Sequence, residues 1–382
     1  TRQSVNGANR EPVSEFYVYD GAARVGILEH WSSVQWLEQY ASGGEAKIVA
    51  MATPQNVALL AVGRALYNPE TGTAAHILSQ QIDDKGTSPT ITLRGAVGAA
   101  RLDQRVVMGT VAVKDAETGM RAMVSRNLRG LPIQLAAPAG TGVTLDTQVS
   151  WGSVLEGLET LASASGLGFG CTFNPETGTE TFAVYAGQDR TQGAGYNGYL
   201  GDDISNITDL KLVRGVNDHY NVAVVCGQGE GAARVVVLVG SGEGTARREL
   251  YVDAKDIAAE YQTATDTGRK DEAGNPIYEY ATVQYTEAEY KALLTARGLQ
   301  KLAEHGATLT LDATAQDGST LTYGKDYGLG DILPIKLTRY GLLAAARVTG
   351  VKIVYEAKGR QVLPQLADFK VTAQAAALNE TR

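Results

Sequence analysis

A six-residue turn sequence occurs twice in this chain, as Asn68-Pro69-Glu70-Thr71-Gly72-Thr73 and as Asn174-Pro175-Glu176-Thr177-Gly178-Thr179. A shorter variant, Asp115-Ala116-Glu117-Thr118-Gly119, lies between them. Asn or Asp opens a turn through its own side chain, proline fixes φ at the next position, and glycine supplies the positive φ that closes it. Each copy is flanked by β-like runs: residues 62–67 and 75–78, 106–113 and 120–124, and 169–173 and 181–185. Repeated hairpin chemistry of this kind predicts a large antiparallel β protein built as scaffold, with no reactive group at its turn tips.

A chain of 382 residues is expected to form two or three domains. It is long enough to bury roughly three quarters of its unfolded surface without disulfide or metal staples. Its 18 tyrosines against 5 phenylalanines suit half-buried strands and contact surfaces, because tyrosine joins an apolar body to a polar tip. The net charge of −8 argues against a dedicated nucleic-acid binder. Charge is uneven, however: residues 90–130 carry seven basic side chains against three acidic ones, which reads as solvated strand faces before it reads as a contact patch. Cys171 and Cys226, in separate apolar runs, are expected to be free buried thiols. No apolar run reaches the length of a membrane span, and residues 1–11 are polar with no signal-peptide core, so membrane insertion is not expected and synthesis is expected in the cytoplasm.

The periodicity divides the chain. Residues 1–14 read as a flexible arm. Residues 15–130 read as a β-rich domain opening with a hairpin about Asp20-Gly21. In it, Ser32-x-x-Gln35 followed by Trp36, Leu37 and Tyr40 predicts a short helix ended by Gly43-Gly44. Residues 131–146 look like a linker. Residues 146–200 read as a small α+β module: a helix capped by Ser150, bearing Val154, Leu155, Leu158, Leu161 and Ala162 and stopped by Gly166, then the second hexapeptide hairpin. Residues 201–365 read as a second β-rich block with a helical insertion at about 253–305, where Thr286-x-x-Glu289 is a capping box and Tyr290, Leu293, Leu294 and Leu302 line one face. Within that insertion, residues 265–276 read as an exposed charged loop, and residues 366–382 as a loose tail.

Most candidate chemistry fails on spacing. Gly227-x-Gly229-x-Gly231-x-x-Arg234 and Gly240-x-Gly242-x-Gly244-x-x-Arg247 resemble nucleotide loops, but the third glycine comes too early, a strand rather than a helix follows the first, and no lysine completes a phosphate loop. They read as tight turns or bulges. His30, His76, His219 and His305 show no metal-ligand spacing. The acid pairs Asp83-Asp84, Asp202-Asp203 and Asp271-Glu272 fall in turns, without the apolar flank that raises the pKa of a general acid. No cofactor, metal site or catalytic residue is expected. A hydrolase stays open as the alternative, if the fold brings together an acid pair or a Cys–His pair. A carbohydrate-binding module is a third reading, but Trp31, Trp36 and Trp151 are better explained by packing near helix starts.

Several segments in the same order resemble the baseplate hub, or tail-associated, proteins of long-tailed bacteriophages. They are residues 221–231 with Arg234 and then 248–256; Leu155 to Leu161 running into Gly166-Leu167-Gly168; residues 184–191; Val18 to Asp20 with Trp36 and Tyr40; and Asp326 to Asp331 with Arg347 to Val351. The resemblance covers roughly residues 15–365. It implies a mainly antiparallel α+β fold of two β-barrel-like domains, 15–130 and 201–365, with α/β insertions. It also implies a non-enzymatic structural role at the virion tail tip. Three copies would form a homotrimer that closes the DNA channel and contacts a distal tail ring, the tape-measure end and fibre or receptor-binding proteins. Gly227, Gly229, Gly231 and Arg234 would then form a structural family-motif turn. The sequence shows no long C-terminal extension, which leaves host binding to other proteins as an expectation.

Overall fold

The computed structural model describes residues 15–371 apart from 85, 87, 216–218, 273, 275, 306–307 and 316–319. The expected arm at 1–14 and residues 372–382 of the expected tail lie outside the described residues. The chain opens with the hairpin β1 (Tyr17–Asp20) and β2 (Ala23–Ile27), turning at Asp20-Gly21 as expected. Residues 31–39 then form a strand, β3 (Trp31–Gln39), where the capping signal predicted a helix. The reason is tertiary. β3 pairs along one edge with β4 (Gly44–Met51), and along its other edge with a strand more than three hundred residues later. In that setting Val34 and Trp36 alternate into the core, and Ser32 donates its hydroxyl to the Val49 carbonyl instead of capping. A short helix α1 (Pro54–Leu59), capped by Thr53, leads to β5 (Ala65–Asn68), β6 (Thr73–Asp83) and β7 (Thr90–Val97). The first hexapeptide joins β5 to β6 as an antiparallel hairpin, with Asn68 opposite Thr73.

The chain continues with β8 (Thr110–Asp115), α2 (Ala116–Asn127), β9 (Ile133–Leu135), β10 (Thr144–Ser150), α3 (Val154–Ser165), β11 (Gly168–Asn174) and β12 (Thr179–Tyr185). Three expectations change here. The variant at Asp115 is not a turn. The Asp115 carboxylate accepts from the Thr118 N–H, three residues on, and starts a helix. The presumed linker carries β9 and the start of β10. The cap of α3 is Ser153, in a reciprocal capping box with Glu156, rather than Ser150. The stop at Gly166, in the left-handed region, is where the sequence put it. The second hexapeptide joins β11 to β12 with Asn174 opposite Thr179.

The remainder comprises β13 (Leu200–Gly201), β14 (Ile207–Gly215), β15 (Val222–Cys226), β16 (Val236–Gly240), β17 (Glu249–Asp253), β18 (Glu260–Lys270), β19 (Pro276–Gln284), α4 (Glu287–Glu304), β20 (Thr308–Ala315), β21 (Ile332–Leu337), β22 (Leu342–Glu356) and β23 (Gly359–Val371). The expected charged loop at 265–276 is instead the distal part of the β18–β19 hairpin. α4 begins at the Thr286–Glu289 capping box and packs Tyr290, Leu293 and Leu294 onto the β15–β17 sheet.

The fold is mainly antiparallel β with few helices. Its largest sheet has eleven strands in the order β13-β21-β22-β3-β4-β7-β6-β5-β1-β2, with β23 also on β22. Strands from both ends of the chain therefore share one sheet and one core, in which Trp36, Ile48, Leu66 and Leu93 meet Leu337, Val351 and Ile353. The barrel-like pair of domains is realised as open sheets. The outermost strands of the large sheet, β2 and the two-residue β13, each pair on one side only, so no seam closes.

Candidate functional site

The two hexapeptides meet where the small module sits on the large sheet. In the first, Asn68 Oδ1 accepts the Glu70 N–H at 3.1 Å, the local bond that makes Asn a turn opener. The same turn also holds the C-terminal strands. Asn68 Nδ2 donates to the Tyr355 hydroxyl at 3.1 Å, Tyr355 donates to Glu70 Oε2 at 2.8 Å, and Arg360 pairs with Glu70 Oε1. The Gly72 carbonyl accepts the Phe173 N–H at 2.8 Å, directly before the second hexapeptide. The second turn rests on the first hairpin of the chain: a Cβ on Gly178 would lie 2.3 Å from the Gly21 carbonyl oxygen. Phe173 completes the seam, with its ring against Tyr19 and Tyr67. These turns have no catalytic group, yet they join elements rather than cap free hairpins.

Tyr40 is a second fastener. Its hydroxyl donates to the Gly166 carbonyl at 3.1 Å and accepts the Gly187 N–H at 3.0 Å, while Arg347 lies over its ring. A third is charged. Glu180, buried on β12, faces Arg101 at 3.4 Å and lies 3.1 Å from His76 Nε2, the latter without hydrogen-bond geometry.

Between these fasteners lies a cavity of about 320 Å³. One wall is the face of the β11–β12 hairpin that carries Gly170 and Thr172 opposite Ala183 and Thr181, with Tyr185 at its end. The opposite wall comes from Glu38 and Gln39 of β3, Thr71 and Thr73 of the first hexapeptide, and the end of β7 with Ala99 beyond it; Tyr323 and Leu329 complete the lining. Glu38 continues the core-facing alternation of Val34 and Trp36, so that face of β3 ends in a half-buried carboxylate. It is the only formally charged residue of the lining. Thr73 donates to Glu38 Oε1 at 2.9 Å, and Tyr323 lies within hydrogen-bonding reach of Oε2 at 3.4 Å. Burial still holds the Glu38 carboxyl above its ordinary range, and it drives the Tyr185 and Tyr323 hydroxyls upward as well. Glu38 escaped the sequence reading because β3 was read as a helix; once it is a strand, the alternation Val34, Trp36, Glu38 is the signal.

The glycine-rich turn Gly227–Arg234 joins β15 to β16, far in sequence from the hexapeptides. Arg234 fastens it by donating to the Gly227 carbonyl at 3.1 Å, the Cys226 carbonyl at 3.2 Å and Asp253 at 2.8 Å. Gly229 sits at φ +100°, where a Cβ would lie 2.4 Å from the Ala233 carbonyl oxygen. A Cβ on Gly227 would meet the Tyr290 hydroxyl at 2.7 Å, whereas Gly231, at φ +53°, faces open space. Strand β16 follows the turn, so no helix N-terminus faces a phosphate here.

Burial raises the Cys171 thiol well above its ordinary pKa, the reverse of what a thiolate nucleophile needs. The buried Asp331 is engaged by Arg190 and by the Gln188 and Gly328 N–H groups. Among the described residues, no three His, Cys, Asp or Glu side chains converge to hold a metal, and no helix is long and apolar enough to cross a membrane.

Two apolar surfaces face solvent. Val236, Leu238 and Tyr251 lie on the outer face of the β16-β15-β17 sheet, opposite the face covered by α4. Trp151, expected to be packed, is 65% exposed at φ +50° and stands near Val106 and Met108, both also exposed.

Comparison with known proteins bears on both fold and family. The model of the family described as "Siphovirus ReqiPepy6 Gp37-like protein" matches residues 15–366. No curated protein compared with the chain matches it. Among solved structures, the 43 kDa tail protein of prophage MuSo2 from Shewanella oneidensis is similar with a TM-score of 0.57 at 12% identity, covering 92% of this chain and 98% of that one. A tail protein from Neisseria meningitidis gives a TM-score of 0.52 at 14% identity, over 93% and 97% of the two chains. The prophage tail protein gp18 from Listeria monocytogenes gives 0.50 at 10% identity, over 96% and 99%. At these identities the likeness is one of fold, and it extends over nearly the whole of each chain.

Proposed function

We propose that this chain, which belongs to the Siphovirus ReqiPepy6 Gp37-like family, is a non-enzymatic structural component of a bacteriophage or prophage-derived tail. It acts as the baseplate hub at the tail tip. It joins the end of the tail tube to the distal tail ring and to host-recognition proteins, contacts the tape-measure end, and closes the DNA channel as a homotrimer. The observation that carries this reading is the family match over residues 15–366, supported by a fold shared end to end with prophage tail proteins. Physical features point the same way. Cys171 is held in its unreactive form, and Val236, Leu238 and Tyr251 leave apolar groups exposed on one sheet face, available for contact with a partner.

The test is assembly. The purified chain, alone and mixed with the products of the neighbouring tail genes, is analysed by native mass spectrometry. Trimers that capture a distal tail ring support the reading, and a strict monomer that binds none of these proteins overturns it. A cell-wall clearing assay in parallel addresses the non-enzymatic part: clearing that is lost on a single point substitution would refute it.

A further inference from the structure

We propose that the cavity between β3 and the β11–β12 hairpin is a receptor for the side chain of a lysine presented by a partner chain. The partner as source rests on the assembly reading above; the site itself does not.

Three observations carry the assignment. The first is an unmatched charge. Glu38 is the only charged residue lining the cavity, and no Lys, Arg or His side chain is ion-paired with it among the described residues. A half-buried carboxylate without a counter-charge is less well solvated than a free one, and an incoming cation compensates it. The displacement of the Glu38 carboxyl above its ordinary range, caused by burial, is consistent with this.

The second is the shape and chemistry of the walls. The cavity of about 320 Å³ lies at the low end of ligand-sized sites. Val97, Ala99, Ala183 and Leu329 supply apolar contact, and Tyr185 and Tyr323 bring aromatic rings to the lining. A lysine fits this pattern: its four-carbon stem is apolar, its ammonium is a compact charge, and aromatic rings attract it further. An arginine suits it less. The guanidinium fork seeks two free carboxylate oxygens in one plane, while Oε1 already accepts from Thr73 and Tyr323 stands beside Oε2.

The third is vacant space over the hairpin face. A Cβ built on Gly170 would meet nothing nearer than Tyr185 Cε1 at 3.9 Å. Gly170 is therefore not required by crowding in this conformation, and its missing side chain leaves cavity volume open beside Ala183.

The experiment uses the purified full chain and two probes, N-acetyl-lysine N-methylamide and its norleucine counterpart, which keeps the stem and lacks the amine. Binding is followed by ligand-observed NMR titration. Variants are Glu38→Gln, which removes the charge at nearly constant shape, and Gly170→Val, which narrows the cavity beside Ala183. Near-ultraviolet circular dichroism verifies that each is folded. Wild type is expected to bind the lysine probe. Affinity should fall about tenfold or more with Glu38→Gln or with the norleucine probe, and should fall as well in Gly170→Val. The assignment is overturned if wild type does not bind the lysine probe, if the two probes bind alike, or if folded Glu38→Gln or Gly170→Val binds as wild type does. No tail protein enters the assay, so a chain that fails to assemble could still bind the probe, and the reverse; the two readings fail separately.

Discussion

Gly72 and Gly178 occupy the same position of the same hexapeptide, at φ +70° and +65°, and each donates its N–H at 2.9 Å to the carbonyl of the asparagine that opens its turn. They differ in surroundings. A Cβ on Gly72 meets nothing within 4 Å, whereas one on Gly178 would lie 2.3 Å from the Gly21 oxygen, 2.5 Å from the Gly21 carbonyl carbon and 2.6 Å from the Ala22 nitrogen. Alanine at Gly72 therefore incurs only the left-handed penalty, about 1–2 kcal/mol. Alanine at Gly178 incurs that penalty and an overlap with backbone that no side-chain rotation relieves. Displacing two packed turns adds about 1–3 kcal/mol. Gly178→Ala is thus expected to destabilise the chain by at least about 1 kcal/mol more than Gly72→Ala. Urea titration of both variants, followed by the fluorescence of the fully buried Trp36, measures the difference. The backbone conformation is common to the pair and cancels. Equal destabilisation would mean that the second hexapeptide is a free turn, and the account of it as a junction would be wrong.

Three further outcomes are expected. Glu38 has a folded-state pKa above its unfolded value, so the folded state holds its proton longer, and stability declines as pH rises from the ordinary carboxyl value of 4.5 through the folded pKa. Glu38→Gln should remove that decline and leave a higher melting temperature at neutral pH than wild type, with no gain below the window; a gain equal at all pH values would contradict the burial argument. Tyr355→Phe leaves Asn68 Nδ2 without its acceptor and Glu70 Oε2 without its donor, and should cost about 1–3 kcal/mol in chemical denaturation. Cys171, with its thiol raised by burial, should resist iodoacetamide in the native chain near pH 8 and react once urea unfolds it, as read by peptide mass mapping.

Local chemistry was legible where nothing distant competes with it. In Asn68-Pro69 and Asn174-Pro175 the asparagine side chain takes the N–H two residues on, at a hairpin. At Asp115 there is no proline, the carboxylate takes the N–H three residues on, and a helix begins. Gly119 there serves not a turn but close packing of α2 on Val113, whose Cγ1 would lie 2.5 Å from an added Cβ. The capping box at Thr286 and the stop at Gly166 were equally local and equally legible. The strand at Trp31–Gln39 was not, because Trp36, Leu37 and Tyr40 satisfy a helical spacing while Val34, Trp36 and Glu38 satisfy a strand alternation. The segment alone does not decide between them; pairing with β4 and with the distant β22 does.

The same long-range pairing explains why the cavity could not be found in the sequence. Its lining comes from β3, the first hexapeptide, the end of β7, the β11–β12 hairpin, and the segment bearing Tyr323 and Leu329. These segments converge only because β22 lies beside β3, with Ile353 opposite Trp36, drawing the C-terminal strands into the first sheet. The first β-rich block is therefore unfinished without the last: Tyr355 of β22 is the residue that reaches both Asn68 and Glu70. A division into an early and a late domain describes the order of synthesis, but the core that buries Trp36 forms only once residues from both are present. Loop closure across such a separation is slow relative to local hairpin formation. The hexapeptide turns, which form locally and already carry Glu70 for Arg360 and Thr73 for Glu38, then act as prepared docking points when the distant strands arrive. A turn sequence used twice at one seam is thus explained by the joint it makes, and the carboxylate left unpaired beside that joint is the feature the scaffold itself does not need.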